Sequence, residues 1–254
     1  MCGHGWAARP RQEFDRSKRY LQYHCFAQAQ AAQSTDNCHA VVRYLGWLSI
    51  TAKCFNVGNY RRTATPQPNA SFFDTANKEG ERLRKAAAEA AVVDMVNWFK
   101  HPTNLIAILD ATNSTKARRR WIKERCDSEG IETLFVESKC DNEEIIMSNI
   151  LEVKTTSPDY VGQDPEEAAR DFRERIKMYE RVYQTLDEDE SDLTYCKIID
   201  VGSQVIINRI QDYLQSRVVY YLMNLHIKPR SIWISRVSGI NSGSWRSNIA
   251  DASL

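Results

Sequence analysis

The chain has 254 residues, of which 43% are hydrophobic and 26% charged, and 34 Lys+Arg against 33 Asp+Glu leave a formal net charge of +1 at pH 7. That length buries a full core in one large or two modest domains. The near-zero charge argues against bulk attraction to nucleic acid or a membrane surface, and no run of about 18 apolar residues exists to span a bilayer.

The N-terminus lacks an apolar signal-like segment, and seven Cys, an odd number at irregular spacings, suit reduced thiols. A cytoplasmic location is therefore expected. Residues 1–40 show no sustained period of 2 or 3.6, as in Ala27-Gln28-Ala29-Gln30-Ala31-Ala32-Gln33, and are expected to form a poorly ordered leader. His24-Cys25 and Cys38-His39 are adjacent pairs rather than pairs two to four residues apart, so no metal site is expected among them.

Beyond residue 40 the pattern becomes regular. Val41–Trp47 reads as the tail of a helix, and Thr51–Val57 as a strand ending at Gly58. Residues 63–77, with Pro66, Pro68 and Asn69, read as a loop. Asn77 is placed to cap a helix over Glu79–Lys100, where Leu83, Ala87, Ala91, Val92, Met95 and Trp98/Phe99 recur at helical spacing. Strand 105–110, helix 115–128, strand 132–136 and helix 142–153 follow. Pro165–Leu186 reads as a long helix, and 187–192 as an acidic surface loop. Lys197–Val201 reads as a strand, Gln204–Leu225 as an apolar helix and Ser231–Ile234 as a last strand. This alternation predicts an α/β fold with a mostly parallel sheet covered by helices on both faces. Ligands in such folds bind beyond the carboxyl ends of the strands.

Three strand ends carry the polar chemistry: 57–62, 110–113 and 137–141. The apolar run Leu105–Leu109 delivers Asp110, a carboxylate that needs a cation, a metal or a substrate hydroxyl there. Thr112, Asn113, Ser114 and Thr115 then open a helix whose first N–H groups can face a phosphate, with Arg118 one turn in. A plain strand–turn–helix with a solvated basic face fits that segment equally well. Arg61 and Arg62 leave a strand on the binding side, where phosphate contact and simple solvation are also evenly matched. Cys140, with no His nearby in sequence, suits a small buried hydrophobe better than a nucleophile. Lys154 suits a helix C-terminus. Arg175 and Tyr179 share a helix face, as a cation resting on a ring would. The basic run Lys116–Arg125 belongs to one helix, so nucleic acid is not expected as a partner.

At this point the residues carry a resemblance. Phe55-Asn56-Val57-Gly58-Asn59-Tyr60-Arg61-Arg62, Asp110-Ala111-Thr112-Asn113, Glu137-Ser138-Lys139-Cys140-Asp141, Ser148–Lys154 with Ser157-Pro158-Asp159-Tyr160, and Asn208–Asn224 occur in dense order. Together they closely resemble the kinase domain of the 6-phosphofructo-2-kinase/fructose-2,6-bisphosphatase family, most of all a fungal member, from about Val41 to Ser235. The resemblance implies a P-loop-kinase-like three-layer α/β/α fold and transfer of the γ-phosphoryl of Mg-ATP to the 2-hydroxyl of fructose 6-phosphate. The product would be fructose 2,6-bisphosphate, a regulator of glycolysis. Position by position, the resemblance implies fructose 6-phosphate contacts at Arg61, Arg84, Thr112, Arg118, Lys154, Arg175 and Tyr179. It implies catalytic positions at Asp110 and Cys140, and nucleotide contacts at Asn149, Ile150, Leu151, Glu152, Val153 and Lys154. No protein ligand to a metal is assigned, and a homodimer is left open.

Two departures accompany the match. The family carries Gly-x-x-x-x-Gly-Lys-Ser/Thr before the helix ending like Val41–Trp47, whereas this chain has no Gly-Lys dipeptide and reads Ala32-Gln33-Ser34-Thr35-Asp36-Asn37-Cys38-His39-Ala40 there. The phosphate cradle, its lysine and the apolar strand before it are thus expected to be missing, which leaves a catalytically impaired sugar-phosphate-binding or subunit-pairing remnant as the alternative to an active kinase. After Ser231–Arg236 the sequence reads Val237-Ser238-Gly239 rather than the family's His-Gly-Glu, so residues 236–254 are expected to be a divergent tail without phosphatase activity. The expected organisation is a leader over 1–40, an incomplete kinase domain over 41–235, and that tail.

Overall fold

The structure, a computed structural model, describes residues 31–65, 69–150, 158–160 and 162–225. Helix α1 (Ala31–Trp47) leads into strand β1 (Ala52–Asn56) and helix α2 (Val57–Ala64). A 3-10 turn (Ala70–Phe73) precedes the long helix α3 (Lys78–Phe99). Then come β2 (Ile106–Asp110), α4 (Lys116–Asp127), β3 (Phe135–Lys139), α5 (Glu143–Asn149) and α6 (Pro165–Glu180). A 3-10 turn (Glu188–Glu190), β4 (Tyr195–Ile199), β5 (Gln204–Asn208) and α7 (Tyr213–Met223) complete the order. The fold is α/β, and two of its three strand pairings are parallel: β1 with β2 and β3 with β4; β5 runs antiparallel to β4.

Local chemistry explains the helix starts. Asn77 Oδ1 accepts from Gly80 N at 2.8 Å, Thr115 Oγ1 accepts from Arg118 N at 3.2 Å, and Asp164 accepts from the N–H groups of Glu166 and Glu167 with Pro165 at the first helical position. Asn56 caps α2 in the same way, accepting from Asn59 N at 3.2 Å. That eight-residue helix occupies a stretch in which the sequence suggested only a turn and a loop.

The parallel β1–β2 pair has helices on both faces. On one face Phe55, Ala107 and Leu109 pack with Ala91, Val92, Met95 and Phe99 of α3 and Ile122 of α4. The other face is covered by α1, which packs against both strands and bears the fully buried Cys38, Val41 and Leu45. The first ten residues of this helix, 31–40, fall in the expected leader. They are helical instead, and burial of Cys38 is the tertiary contact that composition alone does not reveal. In the other sheet, Phe135 and Tyr195 pack with Leu186 and Leu193, while Cys140, Ile146 and Ile150 pack on Ala169 of α6. Among the described residues β2 and β3 do not pair with each other, so the strands form a two-stranded and a three-stranded sheet.

Other expectations need correction. Gln204–Leu225 is not one helix. Gln204–Asn208 is a β-branched run that pairs with β4, Arg209 takes a positive φ of 54°, and Asp212 then caps α7 by accepting from Leu214 N at 2.7 Å. Helix α6 stops at Glu180, six residues before Leu186. Strand β3 sits at 135–139 rather than 132–136, and β4 starts two residues early. The acidic loop is not merely solvated: Glu190 is buried against Arg119, and Asp187, Asp189 and Asp192 pair with Lys116 and Arg120. The expected last strand over 231–234, most of the leader and the tail lie outside the described residues.

Candidate functional site

The site is built where α2, the 70–73 turn, α6 and the end of β2 meet. Gly58 follows β1, and one turn into α2 Arg61 is buried with its guanidinium on Asp159: Nη2 donates to Oδ1 at 2.8 Å and to Oδ2 at 2.7 Å. Arg175 of α6, also buried, donates from Nη1 to Asp159 Oδ2 at 3.1 Å and from Nε to Asp171 Oδ2 at 2.8 Å. Arg62 reaches Asp159 Oδ1 at 3.3 Å. Burial pushes the Asp159 carboxyl up, but the hydrogen bonds and charges of Arg61, Arg175 and Arg62 outweigh it and hold the group below its ordinary range.

Aromatic rings floor the cluster. The Arg61 and Arg175 guanidinium groups lie 5.6 and 4.8 Å from the Phe73 ring centre, and Arg175 lies 4.6 Å from that of Tyr160. Arg84 of α3 lies 5.6 Å from the Phe72 ring and donates from Nη1 to the Phe72 carbonyl. Asp171 ties the floor to α6, its Oδ1 accepting from Ala70 N and its Oδ2 from the Tyr160 hydroxyl, both at 2.8 Å. Tyr179, one turn beyond Arg175, has its ring 5.8 Å from Phe73. Burial pushes its phenol up, opposed by Arg84, Arg61 and Arg175 and by a hydrogen bond with Thr112. Arg61, Arg84, Thr112, Arg175 and Tyr179 therefore come from four separate stretches of chain to one place. The guanidinium groups of Arg61, Arg62 and Arg175 bind the carboxylates of Asp159 and Asp171, and Arg84 stands on the Phe72 carbonyl beside Tyr179, a set of donors of the kind that grips phosphate.

Asp110 ends β2, buried, and accepts from Asn56 Nδ2 through Oδ2 at 2.5 Å. The donor side chains clustered with it are the thiols of Cys38 and Cys54. Magnesium takes oxygen ligands, so this donor set does not by itself fit a magnesium site. The Arg118 guanidinium lies 4.7 Å from the Trp121 ring centre; burial lowers its pKa, and Glu89 opposes that. Cys140 is fully buried among Ile146, Ile150 and Ala169, and burial raises its thiol pKa. It therefore packs as a core thiol rather than standing as an exposed nucleophile. Ile150 is likewise buried. Leu151, Glu152, Val153 and Lys154 lie outside the described residues, as does the side chain of Asn149.

Sequence reasoning missed Asp159, Asp171 and Phe73 as organisers of the site. In the sequence Asp159 stands out only as part of Ser157-Pro158-Asp159-Tyr160, and its partner Arg61 is 98 residues away. The one local signal was Asp171 four residues before Arg175, the helical spacing of an ion pair.

Comparisons with known proteins agree with the residue pattern. A family model, 6-phosphofructo-2-kinase, matches residues 30–229. The chain is 45% identical over 199 residues to a Saccharomyces cerevisiae fructose-2,6-bisphosphatase, covering 77% of this chain and 44% of that protein. It is also 45% identical over 198 residues to human 6-phosphofructo-2-kinase/fructose-2,6-bisphosphatase 4, covering 77% and 42%. Among solved structures, Chaetomium thermophilum Kti12 in complex with ADP-AlF3 superposes with a TM-score of 0.49 at 13% identity, covering 80% of this chain and 95% of that one. The chain spans less than half the length of the two curated relatives described. With the family model covering most of the sequence and 45% identity along that stretch, the chain belongs to the 6-phosphofructo-2-kinase family.

Proposed function

We propose that this chain binds fructose 6-phosphate at the Arg61/Arg84/Arg175 cluster and that phosphoryl transfer from Mg-ATP to the sugar's 2-hydroxyl is the reaction its site serves. The observation that carries this is the convergence of Arg61, Arg175 and Tyr179 on the Phe73 ring, with Arg84 over the adjacent Phe72 and Thr112 hydrogen-bonded to Tyr179. In this reading the guanidinium groups take the sugar phosphate, and Tyr179 and Thr112 orient the sugar. Asp110, held by the Asn56 amide, receives the hydroxyl that attacks the phosphoryl group. Arg118 and Lys154 are assigned to the sugar phosphate, and residues 149–154 to the nucleotide, from family membership. Cys140 contributes packing at the rim.

Titration calorimetry tests the binding step. Fructose 6-phosphate is expected to bind and unphosphorylated fructose not to, with Arg84→Ala weakening the sugar phosphate by about 1.5–3 kcal/mol, the scale of a charged hydrogen bond. Equal affinity for the two sugars, or an unaltered constant in the variant, removes the cluster from the site. Phosphoryl transfer by this chain is expected to be at least about a hundredfold slower than in an intact relative. The sequence has no Gly-Lys dipeptide, and the loss of one preorganised contact to the transferred group costs that much. Turnover within tenfold of an intact kinase, from protein free of contaminating enzyme, contradicts this.

A further inference from the structure

Three elements bring two thiols to Asp110. In the β1–β2 register Cys54 lies opposite Ile108 and Asn56 opposite Asp110, so Cys54, Asn56 and Asp110 share one face of the sheet. Phe55, Ala107 and Leu109 alternate with them and enter the core on the other face. Helix α1 covers the first face and bears Cys38, which is fully buried. One ligand atom each from Cys38, Cys54 and Asp110 lies within 4.8 Å of the others. The adjacent His39 is exposed, so the pairing suggested by the Cys-His dipeptide is not the one the fold makes.

We propose that Cys38, Cys54 and Asp110 bind one thiophilic divalent cation of the zinc class. Two thiolates and one carboxylate form a donor set that zinc accepts and that magnesium and calcium do not prefer. On a tetrahedral ion with Zn–S of about 2.3 Å, two sulfurs stand roughly 3.8 Å apart, so the three groups close on the ion by a shift of about an ångström. Each thiol gives its proton to solvent as its sulfur bonds the metal, and water completes the fourth position. The Asn56 amide, already on Asp110 Oδ2, supplies the hydrogen bond that orients a ligating carboxylate. The proposal stands without the sugar-phosphate reading. If both hold, the cation and the sugar hydroxyl compete for Asp110, and metal occupancy opposes phosphoryl transfer.

The test uses the full chain, reduced, stripped of metal and titrated with Co2+. One equivalent is expected to give thiolate-to-cobalt charge-transfer absorption and the visible bands of a tetrahedral site, both abolished by Zn2+. Cys54→Ser should lower the charge-transfer intensity and weaken binding at least tenfold. Asp110→Asn, which keeps the side-chain shape, should weaken binding while retaining the sulfur band. Cys126→Ser and Cys196→Ser, at buried thiols outside the cluster, should change nothing. The proposal is overturned by folded protein that shows no charge-transfer band at stoichiometric Co2+. It is equally overturned by full cobalt affinity in either Cys54→Ser or Asp110→Asn; if one of these fails to fold, the other decides.

Discussion

At the scale of single residues, Asp159 does the most unexpected work. It gathers Arg61, Arg62 and Arg175 while two of these arginines are nearly inaccessible to solvent. Removing one member of a buried pair leaves the other uncompensated, at about 3–5 kcal/mol. Asp159→Asn should therefore destabilise the fold by about that amount near neutral pH. The sign of the pH dependence follows from the lowered native pKa. The stabilisation is fully present above the ordinary value of 3.8 and is lost as pH falls through the depressed native value. Denaturant unfolding at a series of pH values should show the gap between wild type and variant closing below about pH 3.8. A gap that stays constant into strong acid means that Asp159 does not act through its charge. This residue also shows where sequence reasoning stops. The arginines, Thr112 and Tyr179 were named through resemblance, and their residue types suited a phosphate. The carboxylate that positions them was not named, because a contact 98 residues long leaves no periodic trace.

At the scale of elements, the site depends on how closely α3 approaches the 70–73 turn. Gly80 in the first turn of α3 permits that approach: a Cβ there would collide with the Phe72 carbonyl oxygen, a backbone atom that cannot swing away. The same carbonyl accepts from Arg84, and the next residue is the Phe73 floor. Gly80→Ala should push the turn off α3 and misplace Phe73 and Arg84 together. The expected result is at least tenfold weaker fructose 6-phosphate binding, with far-ultraviolet circular dichroism unchanged. Wild-type affinity in the variant shows that the turn relaxes without cost to the site. Element starts were legible wherever a cap announced them, as at Asn77 and the run before Lys116. They were lost where two elements shared one apolar run. Gln204–Leu225 counts as helical by hydrophobicity, yet Val205-Ile206-Ile207 is β-branched and Asp212 is a strong cap. Weighing those local signals above the length of the run separates β5 from α7. The short α2 was missed for the opposite reason: its cap, Asn56, sits on the last residue of a strand.

At the scale of the whole molecule, the two sheets share no strand pairing among the described residues, so other contacts link the halves. The seam runs between α4 and the segment 184–190. Arg119 Nε donates to Glu190 Oε1 at 2.8 Å and its Nη1 to the Gln184 carbonyl at 2.8 Å, while Lys116 N donates to Gln184 Oε1 at 2.8 Å and Gln184 N to the Ser114 carbonyl at 2.8 Å. Arg119 and Glu190 are almost fully buried there. In the second sheet Glu137 accepts from the Thr185 hydroxyl and the Leu186 N–H, and burial raises its carboxyl pKa against the Thr185 hydrogen bond and the charges of Lys197 and Arg119. A polar seam of this kind couples two apolar cores only while every member is paired. Glu190→Ala strands the Arg119 guanidinium in the interior, and the halves then have unequal reason to unfold together. Thermal unfolding followed separately by near-ultraviolet circular dichroism and by amide exchange in β1–β2 and β3–β5 should be coincident in the wild-type chain. In the variant it should split, with the two strand groups losing protection at different temperatures. A single transition, merely lowered, would mean that the apolar contacts join the two sheets and that the seam adds stability without adding cooperativity.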